Sequence, residues 1–163
     1  MTTEGKGPIT LEELIKLSEG HAHRILLEDR EKDMVPLWHI VTPDGKPDLI
    51  IMTPWDGDFA KKLAVAKIKE IAHEHKAIAV GFVTECWMLD IPAKDAHKPY
   101  ERPSQSPNRI EAVMILAYDK KRTIGKGLQT IRDKPGGRII SLIEHLPIGE
   151  SKFESWMLEG MLP

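Results

Sequence analysis

The chain has 163 residues and a formal net charge of −2, with 41% hydrophobic and 29% charged residues. That length suits one domain with a sizeable core, and the composition is that of a globular rather than a disordered protein. No apolar run approaches the roughly 18 residues of a membrane span, the N-terminus lacks the apolar core of a secretory signal, and the only cysteine, Cys86, has no internal disulfide partner. We therefore expect a single domain over 1–163, in the cytoplasm, without a membrane partner.

The first predicted helix covers residues 8–31. Thr10 and Glu13 have the spacing of a capping box, and apolar residues then recur along one helical face. Two strands follow, "PLWHIVT" and "DLIIMTP". The Asp44–Gly45 pair between them favours a turn, and the flanking prolines predict a wider loop than a two-residue hairpin.

The second predicted helix is "DFAKKLAVAKIKEIAHEHK", capped by Asp56 or Asp58. Its predicted inward face consists of Ala60, Ala64, Ile68 and Ile71. The strand "VGFVTECWML" comes next, and because it is apolar on both faces it should lie in the middle of a sheet. Residues 92–108 then form a long polar loop rich in proline, and loops of this length are often functional.

The remaining chain predicts a strand, "RIEAVMILAYD", a hairpin of "GLQTIRD" and "RIISLIEHL", and a C-terminal helix over 150–161. The order is α-β-β-α-β-β-β-α, with the final hairpin counted once. Because hairpins dominate this order, we expect an α+β fold in which helices pack on a mostly antiparallel sheet.

Three stretches carry a resemblance to known proteins. They are "FVTECWM" (a V-[ST]-E-x-W strand), "PSQSPNRIE" (P-S-x-x-P-x-R-x-E) and the ending "FESWMLEGMLP" (F-x(7)-M-L-P). Together with "MTPWDGDFAKK" they resemble a group of uncharacterised phage and bacterial proteins from Trp38 onward. That resemblance implies a phage-linked or prokaryotic cytosolic setting. The element order is also similar to that of profilin-like and Roadblock-type domains, which serve as scaffolds and dimerisation modules.

The histidines do not predict a metal site. His21 and His23, like His73 and His75, are two positions apart on a predicted helix. Side chains at that spacing point about 200° apart, whereas zinc-binding helices use a spacing of four. The single cysteine cannot supply a structural zinc site either. We predict no metal and no cofactor.

Glu85 is the most informative polar residue, because it lies in an otherwise apolar strand. Arg109 and Glu111 share a face of the next strand, and antiparallel pairing would bring Arg109 to Glu85. One interpretation is a structural ion pair that fixes the strand register. The other is a polar pocket with these three residues as its floor, and with Tyr100 and Arg102 reaching in from the loop. Its two carboxylates could serve acid–base chemistry.

A basic segment, the hairpin over 120–138, is the second candidate. Lys126, Arg132 and Arg138 are its predicted anion-binding residues. No Phe, Tyr or Trp occurs between Lys120 and Arg138, so the segment lacks side chains that would stack on exposed bases. The pattern therefore predicts only a weak, salt-sensitive attraction to nucleic acid.

These observations favour a non-enzymatic cytosolic protein that forms a homodimer and binds a partner protein or a small anionic ligand. Cys86 has the setting of a small packing residue, and neither a G-x-S-x-G elbow nor a P-loop occurs in the sequence. The alternatives are a small hydrolase or transferase that uses Glu85 and Glu111, and a weak nucleic-acid binder that uses the hairpin over 120–138.

Overall fold

A computed structural model describes residues 7–28, 35–88, 105–133, 137–150 and 157–163, together with positions 94 and 99. Its elements in chain order are α1 (Leu11–Glu28), β1 (Leu37–Val41), β2 (Leu49–Met52), α2 (Gly57–Glu74), β3 (Ala79–Met88), β4 (Ile110–Asp119), β5 (Thr123–Asp133) and β6 (Gly137–Glu150). None of the helices in these ranges is long and apolar enough to cross a membrane.

The six strands form one sheet in the order β2-β1-β3-β4-β5-β6, and every neighbouring pair is antiparallel. β3 lies in the interior of the sheet between β1 and β4, as its apolar sequence predicts. The hairpin predicted after β4 supplies the strands β5 and β6. The predicted α+β class and antiparallel sheet are therefore confirmed.

α1 packs on one face of the sheet and is held at its start by the predicted capping box. The backbone N–H of Thr10 donates to Glu13 Oε2 at 2.9 Å, and the N–H of Glu13 donates to Thr10 Oγ1 at 3.1 Å. Leu14 and Ser18 are completely buried against β3. At Gly81 a Cβ atom would lie 3.0 Å from Leu14 Cγ. Glycine at this position therefore allows the helix its close approach to the sheet.

α2 packs on the opposite face over a core that contains Trp38 and Phe82, whose ring centroids are 4.1 Å apart. The Trp38 indole N–H donates to Thr53 Oγ1 at 2.8 Å, so this buried polar group is satisfied. The fully buried residues of α2 are Val65, Ile68 and Ala72. Of the predicted inward face only Ile68 belongs to this set, and Ala60, Ala64 and Ile71 are half-buried at its margins.

The β1–β2 loop spans residues 42–48 and is the wider type that the flanking prolines predict. Gly45 adopts a positive φ of 81°, which glycine tolerates readily. Its carbonyl accepts a hydrogen bond from the N–H of Ile9 at 2.9 Å. The loop thereby ties the segment before α1 to the first hairpin of the sheet.

The ends of three predicted segments differ from the structure or lie outside it. The helix predicted over 8–31 extends over Leu11–Glu28. Most of the polar loop at 92–108 lies outside the described residues. Where a helix was predicted over 150–161, Glu150 ends β6, residues 157–160 form a turn, and 151–156 lie outside the described residues. The segment still contributes to the α2 side of the core through four buried residues, Met157, Leu158, Met161 and Leu162.

Candidate functional site

The two candidate catalytic carboxylates lie on one face of neighbouring strands. Glu85 is opposite Val113, and Glu111 is opposite Trp87, so the two carboxylates are diagonal neighbours across β3 and β4. Both side chains are half-buried. Glu85 therefore lies at the margin of the core rather than inside it. This position explains how an otherwise apolar strand can contain a carboxylate.

Arg109 does not form the predicted ion pair with Glu85; this expectation is corrected. Its guanidinium carbon lies 4.7 Å from the centre of the Trp87 ring, and its Nη1 donates to the carbonyl of Ser106 at 3.3 Å. The register explains the difference. Glu85 pairs with Val113, so Arg109 lies four residues, or about 13 Å, along the strand from the position opposite Glu85. Tyr100 and Arg102, the other predicted members, lie outside the described residues.

The basic segment over 120–138 is not a single surface. Lys120, Lys121 and Arg122 belong to the β4–β5 turn, whereas Arg132 and Arg138 pair with each other near the β5–β6 turn. Successive strand residues rise about 3.3 Å, so the two groups are roughly 30 Å apart along β5. The prediction treated residues near in sequence as near in space, and the long strand separates them.

Lys126, one of the predicted anion-binding residues, is instead part of the core beneath α1. Only 8% of its side chain is exposed, and its Nζ lies 2.8 Å from Glu19 Oε2. Glu19 Oε1 lies 3.8 Å from Nε2 of His23 on the next helical turn. Because Lys126 is buried and paired, it is removed from the candidate anion site.

Three other lysines converge where α2 ends and β4 turns into β5. Lys76, Lys120 and Lys121 line a cavity of about 500 Å³, and the other described lining residues are Ala77, Ile78, Asp119 and Pro163. We call this the lysine cavity. Its size is in the range of small-molecule sites in proteins. None of the ion pairs among the described residues involves the three lysines.

Lys76 has an unusual backbone conformation. Its φ is +52°, the only positive value among the described residues other than glycine. Its N–H donates to the carbonyl of His73, and the N–H of Ala77 donates to Ala72 at 2.8 Å, which is the Schellman pattern that ends a helix. This position usually holds glycine, because a side chain costs about 1 kcal/mol or more in the left-handed region. A lysine here is a strained choice that a functional role would explain.

Two backbone donors of the β4–β5 turn are already engaged by Asp119. Asp119 Oδ1 accepts the backbone N–H groups of Lys121 at 2.8 Å and Arg122 at 2.9 Å. The Arg122 guanidinium is directed away to Glu12 Oε1, 2.6 Å distant. That contact lowers the pKa of the Glu12 carboxyl. The charge offered by the lysine cavity therefore comes from the three lysine side chains.

A second cavity, of about 470 Å³, lies between the start of α1 and the β1–β2 loop. Its charged lining residues are Glu13, Lys16, Asp44 and Lys46. Among the described residues, two acidic and two basic groups line this cavity, so their charges balance and do not favour an anion. Glu13 is also engaged by the capping box, and Asp44 accepts the N–H of Lys46 at 3.2 Å. The lysine cavity is the better candidate.

A buried polar chain runs beneath α1 at its contact with β1. Ser18 Oγ lies 3.4 Å from Nδ1 of His39, and Nε2 of His39 lies 2.9 Å from Nδ1 of His21. Burial lowers the pKa of His39 to about 4, with a smaller contribution from His21. Burial and then Arg24 lower the pKa of His21. Ser18 is also completely buried, so its hydroxyl links helix and strand and is not placed to attack a substrate.

The single thiol is poorly suited to nucleophilic chemistry. Cys86 is half-buried on β3 opposite Ala112. Burial, reinforced by the charge of Glu85, raises its pKa to about 11. The thiol is thus protonated at neutral pH, and the thiolate is the reactive form. In the described ranges, no group of three or more His, Cys, Asp or Glu side chains is arranged to hold a metal ion.

The lysine cavity is the site that sequence reasoning did not assemble. Lys120 and Lys121 belong to the basic segment over 120–138, whereas Lys76 is the last residue of the second predicted helix. One signal was available: "HEHKAIAV" ends a helix without the glycine that commonly follows one. If such a helix ends in a Schellman motif, its left-handed residue must carry a side chain, although the sequence does not say what lies beside it.

Comparisons with known proteins assign no function to the site. No family model matches the chain, and no curated protein or solved structure matches it either.

Proposed function

We propose that this is a non-enzymatic cytosolic protein that binds a small anionic ligand in the lysine cavity and acts as a homodimer. The observation that carries the proposal is the strained backbone of Lys76, whose side chain joins Lys120 and Lys121 around one cavity. The resemblance to phage and bacterial proteins favours a prokaryotic or phage-linked setting.

The electrostatics support an anion as the ligand. Three lysines line the cavity, while Asp119, the acidic residue among its described lining residues, already accepts two backbone N–H groups. Without a ligand the three positive charges repel one another, and a multiply charged anion would relieve that repulsion. Lysine acts as a point charge rather than a fixed fork, so it suits phosphate or clustered carboxylate groups without demanding one geometry.

The shape of the cavity supports a small ligand rather than an extended one. Ala77 and Ile78 form an apolar side beside the charged groups, which suits a ligand with an anionic head and an apolar portion. The basic residues near the β5–β6 turn are about 30 Å away along β5, so they do not extend the cavity into a continuous groove for nucleic acid.

The test is a calorimetric titration with pyrophosphate, citrate and ADP at low salt, with a single-stranded oligonucleotide as a further arm. The Lys120→Ser/Lys121→Ser variant should lose at least about tenfold in affinity, because a hydrogen bond to a charged group is worth about 1.5–3 kcal/mol. Lys16→Ser/Lys62→Ser removes the same charge outside the cavity and should retain binding. Equal loss in both variants, or binding of the oligonucleotide alone, would contradict the proposal.

A further inference from the structure

The outer edge of β2 is apolar where an edge strand is usually protected. β2 ends the sheet next to β1, and its residues alternate between half-buried and exposed. Ile50 is 52% exposed and Met52 is 55% exposed, both on the α1 face of the sheet. Native edges commonly carry charged side chains at such positions, since an apolar edge invites another strand.

The backbone of the same two residues offers free hydrogen-bonding groups. The N–H of Thr53 donates to the carbonyl of Pro36 at 2.9 Å, and Ile51 pairs with Trp38. In an antiparallel ladder, alternate residues direct their N–H and C=O groups to the same side. The groups of Ile51 and Thr53 therefore point to β1, and those of Ile50 and Met52 point away from the sheet. This side of β2 can accept a further strand.

We propose that β2 pairs with β2 of a second copy of this chain, in an antiparallel arrangement about a twofold axis at Ile51. Ile50 then lies opposite Met52 of the second copy, and Met52 opposite its Ile50. Both pairs exchange their outward N–H and C=O groups, which gives four intermolecular hydrogen bonds and extends each six-stranded sheet into the other. A twofold contact of this kind is self-complementary, as dimer interfaces usually are.

Neighbouring registers fit the sequence less well. An axis at Ile50 would set Met52 opposite Asp48 of the second copy, an apolar side chain against a charge. An axis at Met52 would set Ile50 opposite Pro54, which has no N–H to donate. Only the axis at Ile51 matches apolar side chains and backbone donors at once.

Charges flanking β2 are complementary in this arrangement. Lys46 lies five residues before the axis, and Asp56 lies five residues after it. The twofold axis therefore places Lys46 of each copy at the same end as Asp56 of the other copy. Asp56 is the N-cap residue of α2 but makes no side-chain capping hydrogen bond. Neither residue takes part in the ion pairs among the described residues. Two intermolecular pairs between Lys46 and Asp56 would use both charges.

This inference rests on the homodimer in the proposed function and gives it an interface. It is separate from the anion site, because none of the lining residues of the lysine cavity belongs to β2. A competing apolar surface exists on α2, where Phe59 is 77% exposed and Leu63 is 57% exposed. These two residues provide a matched control, since they are as exposed as Ile50 and Met52.

The experiment measures molar mass by light scattering across a concentration series for the full chain and two double variants. The wild type should give twice the 18.4 kDa of one chain. Ile50→Lys/Met52→Lys should be monomeric at concentrations where the wild type is dimeric, since it places like charges opposite one another. Phe59→Lys/Leu63→Lys should remain dimeric. Circular dichroism confirms that each variant is folded.

A cross-link keeps the test decisive if a lysine variant fails to fold. In a Cys86→Ser background, Ile51→Cys should form an intermolecular disulfide under mild oxidation, because the two copies of residue 51 face each other across the axis. Phe59→Cys should not. A monomeric wild type overturns both the interface and the homodimer. A dimer that survives Ile50→Lys/Met52→Lys, or that Phe59→Lys/Leu63→Lys disrupts, overturns the interface alone and leaves anion binding to its own titration.

Discussion

Nε2 of His39 lies 2.9 Å from Nδ1 of His21, and this contact joins the centre of β1 to α1. The His39 side chain is completely buried, and its other ring nitrogen faces Ser18 Oγ at 3.4 Å. A neutral imidazole has one donor and one acceptor nitrogen, so it can serve both contacts. A protonated imidazole would place a charge between the helix and the sheet.

We expect acid to weaken the fold through His39. Its pKa is lowered from 6.5 to about 4 in the folded protein, mainly by burial. Between these values the unfolded chain binds a proton that the folded chain does not. The stabilising contribution is therefore present above pH 6.5 and is lost as the pH falls towards 4. Each pKa unit corresponds to about 1.4 kcal/mol, so the free energy of unfolding should decrease by roughly 3 kcal/mol over this window.

Urea denaturation at a series of pH values measures this effect. His39→Phe keeps an aromatic ring that does not titrate and should flatten the dependence between pH 6.5 and 4.5. His75→Gln replaces an exposed histidine at the end of α2 and is the control for a histidine substitution outside this buried contact. If the two variants and the wild type have the same slope, His39 is not the residue responsible.

Two glycines near α1 should respond to alanine in opposite directions. At Gly81 the added Cβ would lie 3.0 Å from Leu14 Cγ and 3.3 Å from Ser18 Oγ, both in the core, so Gly81→Ala should lose about 1–3 kcal/mol of stability. At Gly20, in the middle of α1, a Cβ would meet nothing within 4 Å. Gly20→Ala should gain up to about 1 kcal/mol from helix propensity. Thermal unfolding of both variants checks this, and stabilisation by Gly81→Ala would show that α1 does not pack as described.

The ion pair between Lys126 and Glu19 should matter more than the pair between Arg122 and Glu12. Lys126 is buried, so Glu19→Gln leaves its ammonium without the carboxylate 2.8 Å away. We expect a loss of about 2 kcal/mol, below the ~3–5 kcal/mol of fully buried pairs because Glu19 retains contact with solvent. Glu12→Gln breaks an exposed pair that water screens, and its effect should be much smaller. Equal melting temperatures for the two variants would contradict this order.

Much of the fold could be predicted because it depends on local patterns. The Thr10–Glu13 capping box and the apolar alternation of β3 are readable from residues a few positions apart. The register between strands is not a local property. It places Arg109 against the ring of Trp87 rather than beside Glu85. The inward face of α2 also depends on how the helix sits on Trp38 and Phe82, so spacing alone identified only Ile68 of its fully buried residues.

The candidate site could not be predicted for the same reason. Lys76 and Lys120 are far apart in sequence and meet only because α2 ends beside the β4–β5 turn. Lys126 has the same sequence character as Lys120, yet alternation along β5 directs it under α1 to Glu19. Charge can be counted in a sequence, whereas the side of the sheet on which it lies follows from the packing of both faces.

The lysine cavity can be tested most directly by Lys76→Gly, because this change should separate stability from binding. Glycine adopts the φ of +52° without the cost of a side chain, so the variant should be more stable by about 1 kcal/mol. It also removes one of the three ammonium groups from the lysine cavity. Affinity for pyrophosphate should therefore fall while the melting temperature rises.

Calorimetric titration and thermal unfolding of the same preparation give both quantities. Lys62→Gly, at an exposed position inside α2, is the control: it should lower the melting temperature and leave the affinity unchanged. A Lys76→Gly variant that is more stable and binds pyrophosphate more weakly is the predicted result. A variant that binds pyrophosphate as tightly as the wild type would contradict the assignment of the lysine cavity as an anion site.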